Sequence, residues 1–356
     1  MHKLEHEILL EFNVSFKNIV LLPGLFLIPQ REHLNFFRGS IDTCLVRHVA
    51  PLKPYINTNI KMGHFCNLST SYQFETIYPE LQSLIPYTDD SSPLYIVKTN
   101  SNLKPTRRHS IEVNCNANLP EHQQTIMGNI NYAHQTNEIG SVTHYNEQTG
   151  GSIYQMENIR GGMNMDQHGS YQRCFGNHLI TKIDERMEYS TNYGKISVGT
   201  DPTLHENCMR NFNVESNFSS SYSFSKLIGT LRGILKYGHV KNLLQPDNNV
   251  SYRDYGGCIE GTWRNHWANL TTDFTLLRRR GYADPAINKL KKLWNLSLER
   301  KILNNNGTFL LTFSDIFHER TNYNYYAQEN VRIESSSDIA VNYVLFTFRY
   351  NLERKK

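Results

Sequence analysis

The chain has 356 residues, with 37 Lys and Arg against 33 Asp and Glu, a net charge of +4 and a mean hydropathy of −0.53. That balance argues against a nucleic-acid partner, and no stretch approaches the ~18 apolar residues of a membrane-crossing helix. A membrane β-barrel stays open, because its strands show lipid only at alternate residues and are hydrophilic on average.

The first apolar run is Ile19 to Ile28, interrupted by Pro23 and Gly24. A secretory signal would want a basic start and small residues at its end. Here Glu5, Glu7 and Glu11 precede the run and Gln30-Arg31-Glu32 follows it. The run reads as two short strands joined by a turn at Pro23-Gly24. An exported protein carries a signal, so the expectation is a chain that lacks its natural start.

Further along, apolar residues recur with a period of two, the strand signature. One face collects Leu68, Thr70, Tyr72 and Phe74; then Ile126, Gly128, Ile130 and Tyr132; then Phe212, Val214, Ser216 and Phe218. Leu231, Leu235 and Tyr237 follow, then Tyr255, Ile259 and Trp263, then Ala268, Leu270, Phe274 and Leu276. Trp294, Leu296 and Leu298 precede Phe309, Leu311 and Phe313. The last strand carries Val344, Phe346, Phe348, Tyr350 and Leu352 on one face and Tyr343, Leu345, Thr347, Arg349 and Asn351 on the other. No long amphipathic helix appears. Many short strands mean a sandwich or a barrel.

The connections favour the barrel. From about Gly199 they alternate: residues 200–208 long, Ser221–Ser225 short, Gly238 to Ser251 long, Arg264-Asn265-His266 tight. Arg279 to Asn288 is longer, Leu303 to Gly307 short, and His318 to Asp338 longest. Outer-membrane barrels sort their loops in this way, with short periplasmic turns and long extracellular loops. The predicted fold is all-β, an antiparallel transmembrane β-barrel spanning residues 1–356. Phe346, Phe348, Leu270 and Leu296 are expected to face lipid.

No catalytic, metal or cofactor constellation emerges, and the chain does not read as an enzyme. Cys44, Cys66, Cys115, Cys174, Cys208 and Cys258 are scattered with no C-x-x-C pair. Cys115 shares a face with Ile111, Val113, Ala117 and Leu119 and reads as a small hydrophobe. Gly161-Gly162 lacks the surroundings of a phosphate loop. The sequons at Asn67, Asn217, Asn269 and Asn295 fall inside predicted strands and read as ordinary polar–apolar alternation.

The segment from Pro79 to Val113, "PELQSLIPYTDDSSPLYIVKTNSNLKPTRRHSIEV", carries a family signal. It resembles TonB-dependent receptor-like outer-membrane barrel proteins of Bacteroidetes type. Pro79, Leu84, Pro86, Asp90 and Pro93 match one element; Asn100, Asn102, Leu103, Lys104 and Pro105 match the next. Thr99, Ser101 and Thr106 depart from the usual Gly, Pro and acid. The resemblance runs in broad register from Leu34 to Leu352.

It implies a barrel of about 22 strands in complete members, preceded by a plug. This chain has room for about 14 strands. The resemblance therefore implies the C-terminal barrel portion of such a receptor, not competent for energised uptake alone, with a missing N-terminal plug or barrel half as a partner. Outer-membrane lipid surrounds it, and the aromatic final strand resembles the signal read by the barrel assembly machinery. The strand parity puts Arg278, Arg279, Arg280, Lys289, Lys291 and Lys292 at the outer rim, where lipopolysaccharide phosphates are the expected contact. The alternatives are a self-contained smaller barrel acting as a passive pore or surface structure, and a soluble β-sandwich that binds carbohydrate.

Overall fold

The computed structural model describes residues 2–352 apart from 40, 147–148, 199–200, 283–284, 286, 305, 321, 328–331 and 338–341. The first strands are β1 (His2–Glu5), β2 (Ile8–Glu11), β3 (Val14–Phe16), β4 (Ile19–Leu27), β5 (Gln30–Arg38), β6 (Ile41–Val49), β7 (Leu52–Met62) and β8 (Cys66–Ile77). A 3-10 turn at Leu81–Leu84 leads to β9 (Thr88–Ser92), β10 (Tyr95–Lys98), β11 (Thr106–Leu119) and β12 (Gln124–Thr136). Next come β13 (Glu138–Asn146), β14 (Gly151–Ile159), β15 (Met163–Phe175), β16 (Leu179–Val198), β17 (Asp201–Phe224) and β18 (Leu227–Asn242). The chain continues through β19 (Val250–Arg264), β20 (Asn269–Arg280), β21 (Leu290–Ile302), β22 (Gly307–Ser314), β23 (Asn322–Ala327), β24 (Arg332–Ser337) and β25 (Tyr343–Tyr350).

Fourteen strands form one antiparallel ladder, in the order β4, β7, β8, β11, β12, β15 to β22 and β25. The sequence expectation is about 14 strands; the whole sheet holds about 20, because β2, β3 and the β9–β10 and β13–β14 hairpins also pair into it. β2 and β3 pair along the free edge of β4 as one interrupted strand. Among the described residues no pairing joins β25 to β2 or β3, so the wall keeps two edges.

The register carries every alternating face read from the sequence onto the same side of the wall. Phe346 lies opposite Leu311, Leu311 opposite Leu298, Leu298 opposite Leu270, and Leu270 opposite Trp263. Leu296 joins this face opposite Phe313, and Phe348 joins it opposite Phe309. Many of its large side chains, Phe346, Ile259 and Leu231 among them, are exposed. In a hydrophilic chain that exposure is the mark of a lipid-facing surface. Asn67, Asn217, Asn269 and Asn295 fall on the opposite, polar side.

Connections sort by end. Residues 63–65, 120–123, 176–178, 225–226, 265–268 and, among the described residues, 303, 304 and 306 make the short turns, and β25 finishes at that end. The opposite end holds the β9–β10 and β13–β14 hairpins and the β23–β24 ribbon. It also holds a three-stranded sheet ordered β1-β5-β6. That sheet prolongs the first wall strands past breaks at Pro29 and Pro51. His6 N–H donates to Pro29 O at 3.0 Å, and Ile28 N–H donates to Pro51 O at 3.1 Å.

Two sequence expectations are corrected. Pro23-Gly24 is no turn, because β4 runs straight through it. In an antiparallel strand the N–H and C=O of one residue point to the same neighbour. The Pro23 carbonyl accepts from Phe12 N–H, at the break between β2 and β3. The proline's missing donor therefore costs no ladder bond in the continuous wall. Gly24 leaves room for the Tyr55 ring, which a Cβ there would overlap. Residues 200–208 are not a loop either: β16 and β17 pair from Leu179–Tyr222 up to Val198–Asp201, the deepest hairpin of the molecule. Gly199 and Thr200 lie outside the described residues.

Candidate functional site: the inner wall and the outer platform

The polar side of the wall is concave. One recess on it is lined from four neighbouring strands and Tyr252 of a fifth: Asp166 of β15, Glu188 of β16, Asn213 of β17 and Val240 of β18 contribute. Across the whole polar side, amides and opposite charges interlock. Asn129 donates to Asn114 at 2.6 Å, and Asn131 donates to Asn129 at 2.7 Å. Arg186 bridges Asp166 at 3.2 Å and Glu188 at 3.0 Å. Lys182 pairs with Asp184 at 2.8 Å, Arg232 with Glu260 at 3.0 Å, and Asn295 donates to Asp273 at 2.9 Å. Such a surface, with both signs paired in place, can line a water-filled passage without favouring one ion strongly.

Near the long-connection end the inner wall closes into a buried charged cluster. Asp254 is 6% exposed. The Tyr282 hydroxyl contacts both its carboxylate oxygens at 3.0 Å, and Arg279 Nε lies 3.4 Å away. Tyr282 stacks on Tyr252, whose hydroxyl reaches Asn213 at 3.0 Å. Burial and the Asp254 carboxylate push the Tyr282 phenol above its ordinary range, so it stays a proton donor. Lys291 is buried beside this group.

The six basic residues expected at one rim are therefore divided by the pleat. Arg279 and Lys291 turn to the inner side. Arg278, Arg280 and Lys292 stand on the lipid-facing side at the same end. Lys289 precedes β21, where its carbonyl accepts from Arg279 N–H at 3.2 Å.

The family-like segment forms a platform at that end. Leu81 and Ile85 are 2% and 1% exposed and pack with Leu34, Phe36, Leu45 and Tyr87. Arg38 pairs with Asp89 at 2.9 Å over the Tyr87 ring. The Ser91 groups and then Arg38 hold the Asp89 carboxyl below its usual range. Asn100 donates to Met156 O at 3.0 Å, and Asn137 donates to Pro105 O at 2.9 Å. Of the matched residues, Asn100 and Lys104 thus tie the β8–β11 connection to β14, and Pro105 ties it to the β12–β13 connection. Asn158, which also holds Lys104, was not legible in the sequence, since it lies 54 residues away.

Among the described residues no group of three His, Cys, Asp or Glu side chains could hold a metal ion, and no helix is long and apolar enough to cross a membrane.

Residues 52–350 match the model of a family described as the outer membrane protein beta-barrel family. No curated protein matches. Among solved structures, the chain is similar to the ferric-catecholate import receptor Fiu from E. coli in its open form. That match has a TM-score of 0.39 and 9% identity and covers 87% of this chain and 57% of the receptor. For the copper transporter OprC the values are 0.37, 8%, 99% and 64%. For OmpT, an outer membrane protein of Vibrio cholerae, they are 0.33, 10%, 93% and 98%. The chain spans less than two thirds of the first two proteins' length.

Proposed function

The chain belongs to the outer membrane protein beta-barrel family, and from that premise we propose that it forms the wall of a TonB-dependent receptor-like passage for a polar solute. Its outer-membrane location sets aside the soluble β-sandwich. The observation that carries the reading is the two-sided wall: a paired, polar inner surface behind a continuous apolar face, with a built platform over its long-connection end. The Pro79–Pro105 platform supports receptor-like kinship of Bacteroidetes type, because its matched residues hold that platform together.

In this reading the chain acts as the C-terminal part of a larger receptor and does not by itself perform energised uptake. The unjoined edges of β25 and of β2 and β3 support this. An unpaired backbone group in hydrocarbon costs several kcal/mol, so these edges need further strands or each other. The barrel assembly machinery, reading the aromatic β25, is the proposed partner in insertion.

The test is expression with a supplied signal peptide, followed by planar-bilayer conductance and uptake assays. The expected result is saturable uptake only when the remaining receptor segment is co-expressed. A steady ungated conductance from this chain alone would establish the self-closed pore instead. Saturable, proton-gradient-dependent uptake by it alone would overturn the proposal.

A further inference from the structure

The lipid-facing side carries a band in which cations stand directly opposite cations. Arg210 of β17 is the Cα partner of Lys241 of β18. Arg253 of β19 is the partner of Arg280 of β20. Arg278 and Lys292 continue the band on β20 and β21. Arg210, Lys241, Arg253, Arg280 and Lys292 are all exposed. Among the described residues none of the six side chains has a carboxylate within ion-pair distance. Glu319 takes the backbone N–H of Lys292 and not its side chain. The Nε of Arg278 is buried without a hydrogen-bond partner. Like charges directly opposite one another destabilise a strand pair. Two such pairs on consecutive strand pairs, Arg253 lying level with Tyr237 four residues before Lys241, call for anionic groups from outside the protein.

The depth of the band says which anion. Trp263, near the short-turn end of β19, and Arg253 are ten residues apart on one face. At ~3.4 Å per residue and a tilt of ~40° this is about 26 Å along the membrane normal, against an apolar band of ~25 Å. Tyr189, Phe212, Tyr237 and Tyr255 lie among the cations on the same face: Phe212, opposite Tyr189, is two residues membrane-ward of Arg210, Tyr237 is level with Arg253, and Tyr255 is level with Arg278. Arg253 sits 5.7 Å over the Tyr237 ring. Aromatic rings of this placement mark the headgroup level. The cations therefore stand where the phosphates of the outer leaflet lie, at the end of the long connections.

We infer that Arg210, Lys241, Arg253, Arg278, Arg280 and Lys292 form a binding stripe for the phosphates of a lipid A headgroup, which bridges the like-charged strand pairs from outside. Guanidinium groups suit this role, since each offers paired donors to a phosphate. The inference rests on the outer-membrane location and not on the transport reading. It replaces the inward-turned Arg279 and Lys291, and Lys289, with Arg210, Lys241 and Arg253.

The test uses the full chain folded in uncharged detergent, with bisphosphorylated lipid A as the probe. Dephosphorylated lipid A, phosphatidylglycerol and inorganic phosphate serve as comparisons. The variant is Arg253→Ser with Arg280→Ser, and Lys182→Ser on the inner face is the control. Wild type and the control should bind bisphosphorylated lipid A at least tenfold more tightly than any comparison ligand. The double variant should lose that preference. In lipid-free detergent the double variant should unfold at a higher temperature than wild type, because a repulsion has been removed. An unchanged lipid A preference in the double variant would overturn the inference. A lower unfolding temperature in lipid-free detergent would do the same, as would equal binding of phosphatidylglycerol or inorganic phosphate by wild type.

Discussion

Asn158 holds Lys104 by both of that residue's backbone groups: its Oδ1 accepts from Lys104 N–H at 2.7 Å, and its Nδ2 donates to Lys104 O at 2.8 Å. Nδ2 also reaches Asn137 O at 3.1 Å. One amide thus joins the end of β14, the approach to β11 and the β12–β13 connection. Asn158→Leu removes these bonds from a turn whose Lys104 is exposed, so water can replace part of them and the cost should be about 1 kcal/mol. Hydrogen exchange over residues 99–106 should accelerate, while exchange in β16 and β17 stays as in wild type. Equal protection in both proteins would show that the platform does not depend on this amide.

The face assignment can be tested within one strand. Phe346 and Thr347 are neighbours in β25, with Phe346 on the side shared with Leu311 and Thr347 on the inner side. Phe346→Arg should cost about 2–4 kcal/mol of folding stability in a bilayer. Thr347→Arg, facing a polar interior, should cost far less. Reversible denaturation in lipid vesicles measures both. A larger cost at Thr347 would mean that the wall is inside out.

Gly161 and Gly162 lie where the chain returns from β14 to start β15, pressed between the wall strands on either side. A Cβ on Gly161 would overlap the Gln135 carbonyl, and one on Gly162 would overlap that of Thr191. Both obstacles are backbone, and Gln135 N–H donates to Gly162 O at 2.9 Å, so neither can simply rotate away. Gly162→Ala should weaken the β12–β15–β16 junction and lower the yield of heat-resistant folded protein on a gel. Gly176→Ala, at a short turn with no atom within 4 Å of the added carbon, is the comparison for local backbone strain alone.

Sidedness has a natural reporter. Cys44 is exposed on β6, in the small sheet at the long-connection end, and lies 3.1 Å from His33 Nε2. A membrane-impermeant maleimide should label it in intact cells, and Cys44→Ser should abolish that signal. Labelling that appears only after the outer membrane is broken would reverse the orientation of the barrel.

The period-of-two pattern was readable in the sequence because lipid acts on each strand separately. Every second residue of β25, β21 or β18 must be apolar wherever hydrocarbon touches it, and that rule needs no knowledge of neighbours. The short-turn end and its contrast with the long connections were readable for the same local reason. What the sequence left undecided depends on pairing. Pro23-Gly24 looks like a turn until the break between β2 and β3 is placed beside it and Tyr55 is laid over the glycine. The upper halves of β16 and β17 lack an apolar face, since they pair with each other beyond the lipid. Arg278, Arg279 and Arg280 form one run in the chain, yet the pleat sends the middle one to Asp254 and the outer two to the membrane surface. Only the register, a non-local quantity set by many backbone bonds at once, brings Arg253 opposite Arg280 and Asn158 against Lys104.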